Sequence, residues 1–203
     1  MERSTEYRGP GADDYANVLA LNTAFIAATT NLLGPQRGRL AAAPFLLFSL
    51  REDDAAWWEQ ALTDRRQTEL LAPAEQSDPE LQRIQTAAMS FLWHLGQRNP
   101  YAVRIISGAP IAWCDTIAEL PLVTLLHRLG ARADLMQSRI ESSADDGDRL
   151  MTHGTSSARQ MRRASQFTVL QEMLTRSGQD SYSKLPAAAC KMSGSLRVMD
   201  KKV

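Results

Sequence analysis

Apolar residues along this chain recur at intervals of three and four, in segments broken by proline and glycine. That is the spacing of helices that bury one face. In "DDYANVLALNTAFIAATTNLLG" the apolar positions are Val18, Leu21, Phe25 and Leu32. Asp13 and Asp14 suit the first turn, and Gly34 suits a stop. "PQRGRLAAA" reads as a short helix opened by Pro35. "PFLLFSLR" reads as a buried strand or an extended apolar link, at a length where periodicity does not separate these from helix. "EDDAAWWEQALTDRRQTELLA" again places acids ahead of an apolar run, with Trp57 four residues before Ala61 and Trp58 four before Leu62. "APAEQSDP" is a linker.

The best-defined helix follows. Asp78 is its cap, Pro79 its first-turn proline, Leu81, Ile84, Ala88, Phe91 and Leu95 its stripe, and Gly96 its close. "YAVRIISGAP" is a short helix or strand that ends at Ser107 and Gly108. "PIAWCDTIAEL" and "PLVTLLHRLG" are two short helices, each opened by proline. "ARADLMQSRIESS" has no clear period, and "SADDGD" is a polar loop. The last helix, "TSSARQMRRASQFTVLQEMLTRSG", has Thr155 or Ser156 as cap and Met161, Ala164, Phe167, Leu170 and Leu174 as its predicted apolar face. Its predicted stop is Gly178. The remaining residues, 177–203, show no sustained period and read as a mobile tail.

Segments 29–51 and 118–140 also align with each other at an offset of 89: Leu33 with Leu122, Arg39 and Leu40 with Arg128 and Leu129, Leu46 with Leu135, Ser49 with Ser138. The expectation is therefore an all-α fold of about seven to nine helices. The helical domain spans 13–176, with similar halves at 13–72 and 79–140 and a closing helix at 155–176, followed by the tail. Such a duplication would let one chain imitate a symmetric dimer.

Composition narrows the class. The 203 residues are 44% hydrophobic and 23% charged, the balance of a soluble globular domain. No apolar run approaches the roughly 18 residues of a membrane span, and the polar first residues carry no leader pattern. Cys114 and Cys190 stand apart from any metal spacing and suit a reducing cytoplasm. The net charge is zero but unevenly spread. Residues 1–150 hold 14 arginines against 20 acids, net −6, and residues 151–203 hold 9 basic against 3 acidic residues, net +6. All four lysines lie among the last 20 residues.

The candidate chemistry is thin. His94, His127 and His153 share no ligand spacing. Cys114 stands beside Trp113 and Asp115, and an acid raises a thiol pKa rather than lowering it, so a small core cysteine is expected. No enzyme activity, cofactor, metal or small-molecule substrate is expected. Arg159, Arg162 and Arg163 fall at i, i+3 and i+4, a spacing that suits phosphates or a solvated face, on the side read as opposite Phe167 and Leu174. The helix pair around Pro121 invites comparison with a helix-turn-helix. Its second helix is mostly leucine, and only Thr124, His127 and Arg128 remain to meet a groove. Trp57, Trp58 and Trp93 are candidate anchors of an interface or of the chain's own core.

Two segments resemble a known family. "LNTAFIAATTNLLGPQRGRLAAAPFLLFSLREDD" is similar to the N-terminal part of the flagellar transcriptional activator FlhD family, at Asn22, Phe25, Ile26, Leu33, Leu40, Ala41, Phe48, Leu50, Arg51 and Asp53. "GAPIAWCDTIAELPLVTLLHRLGARADLMQSRI" repeats the order at Ile111, Leu120, Leu122, Leu129 and Leu135. The resemblance covers about a third of a chain that is longer than a typical member. It implies a helical, dimeric, cytoplasmic, non-enzymatic regulator of transcription that works with a protein partner or as a homodimer, on DNA and in motility control. No DNA-contact residue is carried over. A structural adaptor with no nucleic-acid role is the alternative, and neither reading involves a membrane.

Overall fold

The computed structural model describes residues 9–63, 78–130, 132–140 and 144–182. The fold is all-α. Its elements are α1 (Ala12–Thr29), α2 (Gly34–Ala41), β1 (Phe48–Ser49), α3 (Ala55–Thr63), α4 (Pro79–Arg98), α5 (Pro100–Ser107), α6 (Ile111–Glu119), α7 (Leu122–Leu129), β2 (Gln137–Ser138), α8 (Ala144–Arg149) and α9 (Arg159–Tyr182). A π-helical segment, Leu150–Gly154, continues α8. Most of the linker and most of the predicted tail lie outside the described residues.

Local chemistry sets the element ends. The Asp78 carboxylate accepts from the Glu80 N–H at 2.9 Å, and Pro79 opens α4. Asn99 ends α4 and caps α5 by accepting from the Ala102 N–H at 3.1 Å. Asp14 accepts from the Gly11 N–H at 2.8 Å and takes Arg98 at 3.0 Å, which ties α1 to α4.

The apolar run after α2 forms the centre of the core: Phe45, Leu46, Leu47, Phe48 and Leu50 are fully buried. Only two of its residues are β, and hydrogen bonds from other segments meet much of its buried backbone. The Leu46 N–H donates to Ile106 O at 2.9 Å, and the Arg139 N–H donates to Leu47 O at 3.0 Å. Asn22, buried on α1, does most of the rest. Its amide donates to Phe45 O at 2.8 Å and to the carbonyls of Ala41 and Ala43, while its oxygen accepts from the Leu47 N–H at 3.0 Å. Gln85 on α4 plays the matching part after α7, donating to Leu129 O at 2.8 Å, Arg132 O at 3.1 Å and Gly130 O at 3.3 Å.

The packing is reciprocal. α1 lies on α2 as α4 lies on α7, and α1 and α4 lie on each other. α3 packs on α7, while the π-helical segment packs on α2. β1 and β2 pair antiparallel, Phe48 with Ser138 and Ser49 with Gln137. Positions 48–49 and 137–138 are the ones that the offset of 89 equates. Elements before residue 64 and elements after residue 77 thus meet across one core.

Three local expectations are corrected. The predicted polar loop "SADDGD" is helical from Ala144 and leads into the π-helical segment, which contains His153. α9 begins at Arg159, with Ser156 accepting from the Ala158 N–H at 3.2 Å, and it runs past Gly178 to Tyr182. Residues 177–182, assigned to the tail, are helix: one glycine costs a helix only about 1 kcal/mol and is no stop by itself.

Candidate functional site

α9 is the element on which the predicted basic residues converge. Ser165, Val169 and Met173, four residues apart, are its buried stripe. Ser165 Oγ donates to Arg149 O at 3.2 Å, Arg149 pairs with Glu172 at 2.9 Å, and Arg104 donates to Leu174 O at 3.0 Å. This corrects the predicted apolar face. Met161 and Phe167 are exposed by 50% and 68%, Ala164 is exposed, and Leu170 and Leu174 are half-buried at the edge. Both sets of residues obey helical spacing. The inward set includes a serine whose hydroxyl finds a carbonyl, which apolar periodicity does not register.

The arginines are redistributed accordingly. Arg163 precedes Phe167 by one turn and shares its face, so it does not oppose it. Arg159 and Arg163 are exposed. Arg162 is half-buried and donates to Ser156 O at 2.8 Å and Ser157 O at 2.9 Å, which leaves two of the three free for a partner. Arg128 rides on α7, whose packing partners are α3 and α4, whereas α9 packs on the π-helical segment and α5. Its Nη1 is buried with no hydrogen-bond partner.

The three tryptophans anchor the chain to itself. Trp58 is 5% exposed, its indole N–H shared between Leu50 O at 3.1 Å and Arg51 O at 3.0 Å. Trp93 donates to Leu120 O at 2.7 Å. Trp57 is half-buried between the guanidinium groups of Arg51 and Arg132, 5.5 and 5.0 Å from its ring, and donates to Asp134 Oδ2 at 2.8 Å. Burial works to raise the Asp134 carboxyl. Hydrogen bonds from Trp57 and Arg132 and the Arg132 charge outweigh it and hold the group below its usual value.

Sequence reasoning missed a second feature, beneath α3 and α6. Glu52 is buried, with Oε1 3.5 Å from Arg139 Nη2. Arg139 also donates to Ser107 O at 2.6 Å and Phe48 O at 3.1 Å. Desolvation pushes the Glu52 carboxyl above its ordinary 4.5, against the pull of Arg139. Glu52 Oε1 and the indole nitrogen of Trp113 have no hydrogen-bond partner. Beside them opens a cavity of about 330 Å³, walled by Trp58, Leu62, Pro110 and Trp113 and bordered by Glu52, Asp53 and Glu59. The run of acids at 52–54 resembles a helix start, and Asp54 is one, accepting from the Trp57 N–H at 3.0 Å. The one available signal for Glu52 was its place directly after the most apolar run in the chain.

The remaining candidates are quiet. Burial, first, pushes the Cys114 thiol up to about 12, with Asp115 and Glu52 adding to it against Arg104, so Cys114 is a core residue with no thiolate at neutral pH. His94 and His127 are exposed, on α4 and α7. Among the described residues no three His, Cys, Asp or Glu side chains gather as metal ligands, and no helix is long and apolar enough to cross a membrane. Of the family-like positions, Asn22, Phe25, Ile26, Leu40, Ala41, Phe48 and Leu50 are buried, and Leu33 is 71% exposed. Comparison with protein-family models, characterised proteins and solved structures finds no match.

Proposed function

We propose that this chain is a non-enzymatic regulatory protein of the cytoplasm, FlhD-like, that acts in transcriptional control through protein contacts made by α9. The observation that carries this reading is the outer face of α9, where Phe167 stands 68% exposed one turn from exposed Arg163. A large apolar side chain beside a cation suits a protein surface better than a phosphate backbone. Charge selects an acidic partner, and residues 1–150 of a second copy, net −6, supply one. DNA contact then belongs to the complex, with Arg159 facing phosphates at its edge.

The test is size-exclusion chromatography with light scattering, with and without promoter DNA. The reading expects twice the chain mass of 22.5 kDa and a DNA shift that weakens with salt. Phe167→Glu and Arg163→Glu should each favour the monomer. A monomer at every concentration with no DNA shift overturns the proposal. A dimer that ignores DNA selects the adaptor reading. That second reading is favoured by Arg162, whose guanidinium is spent on the carbonyls of Ser156 and Ser157.

A further inference from the structure

The cavity between α3 and α6 is walled mainly by apolar and aromatic side chains: Trp58, Leu62, Pro110 and Trp113. The rings of Trp58 and Trp113 meet edge to face, 5.3 Å between centroids and at 82°, so they form a corner in place of a flat stack. The donors of that wall differ in what they meet. The Trp58 N–H goes to the carbonyls of Leu50 and Arg51. The Thr116 hydroxyl donates to Ala112 O at 2.8 Å. The Trp113 N–H has no partner, although Trp113 is only 8% exposed. A buried donor left unpaired has lost its hydrogen bond to water and gained nothing in return. A ligand that brings an acceptor recovers that loss. Charge then selects a neutral ligand. Glu52 faces Arg139 at 3.5 Å, and burial works to keep its carboxyl protonated, so it calls for no further cation. Asp53 and Glu59, also on the lining, oppose an anion.

We propose that this cavity binds a small neutral carbonyl compound, with its apolar body in the Trp58–Trp113 corner and its carbonyl oxygen accepting from the indole N–H of Trp113. A volume of about 330 Å³ is at the small end of ligand pockets, which fits a single ring or a short alkyl chain. A hydrocarbon of that size fills the corner and leaves the N–H unpaired. With Glu52 Oε1 taken by Arg139, the need left in the wall is for an acceptor, and a carbonyl supplies one with no donor of its own to place. This site is separate from α9, and its occupancy is independent of the reading given above for that helix.

The experiment is a ligand-observed NMR titration of the full chain with three probes of one shape: acetophenone, 2-phenylpropene and benzoate. The first two differ only in that a carbonyl oxygen replaces a methylene group. The ketone should bind at least about fivefold more tightly than the hydrocarbon, and benzoate should not bind. Trp113→Phe keeps an aromatic wall and removes the N–H. It should erase the preference for the ketone while the hydrocarbon still binds, whereas a merely structural loss would weaken both alike. Ala112→Phe places a ring from an exposed lining position into the cavity and should abolish binding of both, with circular dichroism confirming the fold of each variant. A ketone held no more tightly than the hydrocarbon, a preference that survives Trp113→Phe, binding untouched by Ala112→Phe, or no binding by any probe overturns the proposal.

Discussion

Glu52 is the residue at which burial and charge conflict most openly. Desolvation holds a proton on its carboxyl in the folded chain beyond the ordinary 4.5, although Arg139 stands 3.5 Å away. Between 4.5 and the raised folded value the native state binds more protons than the unfolded one. Stability therefore falls as pH rises through that window, and below it Glu52 contributes no slope. Glu52→Gln keeps the shape and removes the titration. The stability of the wild-type chain relative to E52Q should decline as pH rises above 4.5 toward the raised folded value, by at most about 1.4 kcal/mol per pH unit. Urea denaturation of both chains across that range reads it, and a difference constant with pH would contradict it. At this scale the sequence shows least. Asn22 and Gln85 look like ordinary polar helix residues, and only tertiary structure reveals that each carries three backbone carbonyls at the end of a neighbouring helix. Arg139, in a stretch without period, becomes a partner for Glu52 only because β2 lies beside β1.

At the scale of elements, most helices are legible because caps, prolines and apolar stripes agree, as in α4 from Asp78 to Arg98. α9 shows where that agreement misleads. Met161 and Phe167 of its more apolar stripe face outward, and the helix seats Met173 against Gly108, at the end of α5. Gly108 has φ +72°, and a Cβ there would lie 2.6 Å from Met173 Cε and 3.0 Å from Met173 Cβ. Gly108→Ala should therefore cost roughly 1–3 kcal/mol, from left-handed backbone strain and from displacement of α9. Gly38→Ala is the control. It lies inside α2 with no atom within 4 Å of an added Cβ, and it should gain about 0.5–1 kcal/mol. Urea midpoints of the two variants should move in opposite directions. If G108A is as stable as the wild type, α9 is not held in this way.

For the whole molecule, the offset of 89 in sequence and the reciprocal packing lead to one consequence for folding. α3 buries itself on α7, from beyond residue 78, and α2 is covered by the π-helical segment at 150–154, also from beyond residue 78, so the two sides of the 64–77 stretch cover each other's short helices. The buried run Phe45–Leu50 draws on both halves: Asn22 and Ile106 satisfy parts of its backbone, and Arg139 satisfies Leu47 and Phe48. A chain cut between Ser77 and Asp78 would leave both fragments with large apolar faces and unpaired backbone groups. Neither fragment alone should give a cooperative urea transition. An equimolar mixture should recover helical circular dichroism and a transition whose midpoint rises with concentration, as for any bimolecular assembly. Two fragments that each unfold cooperatively alone would mean that the halves are separate domains in contact. In that case the pairing of Phe48 with Ser138 would be a surface between finished units and not the centre of one core.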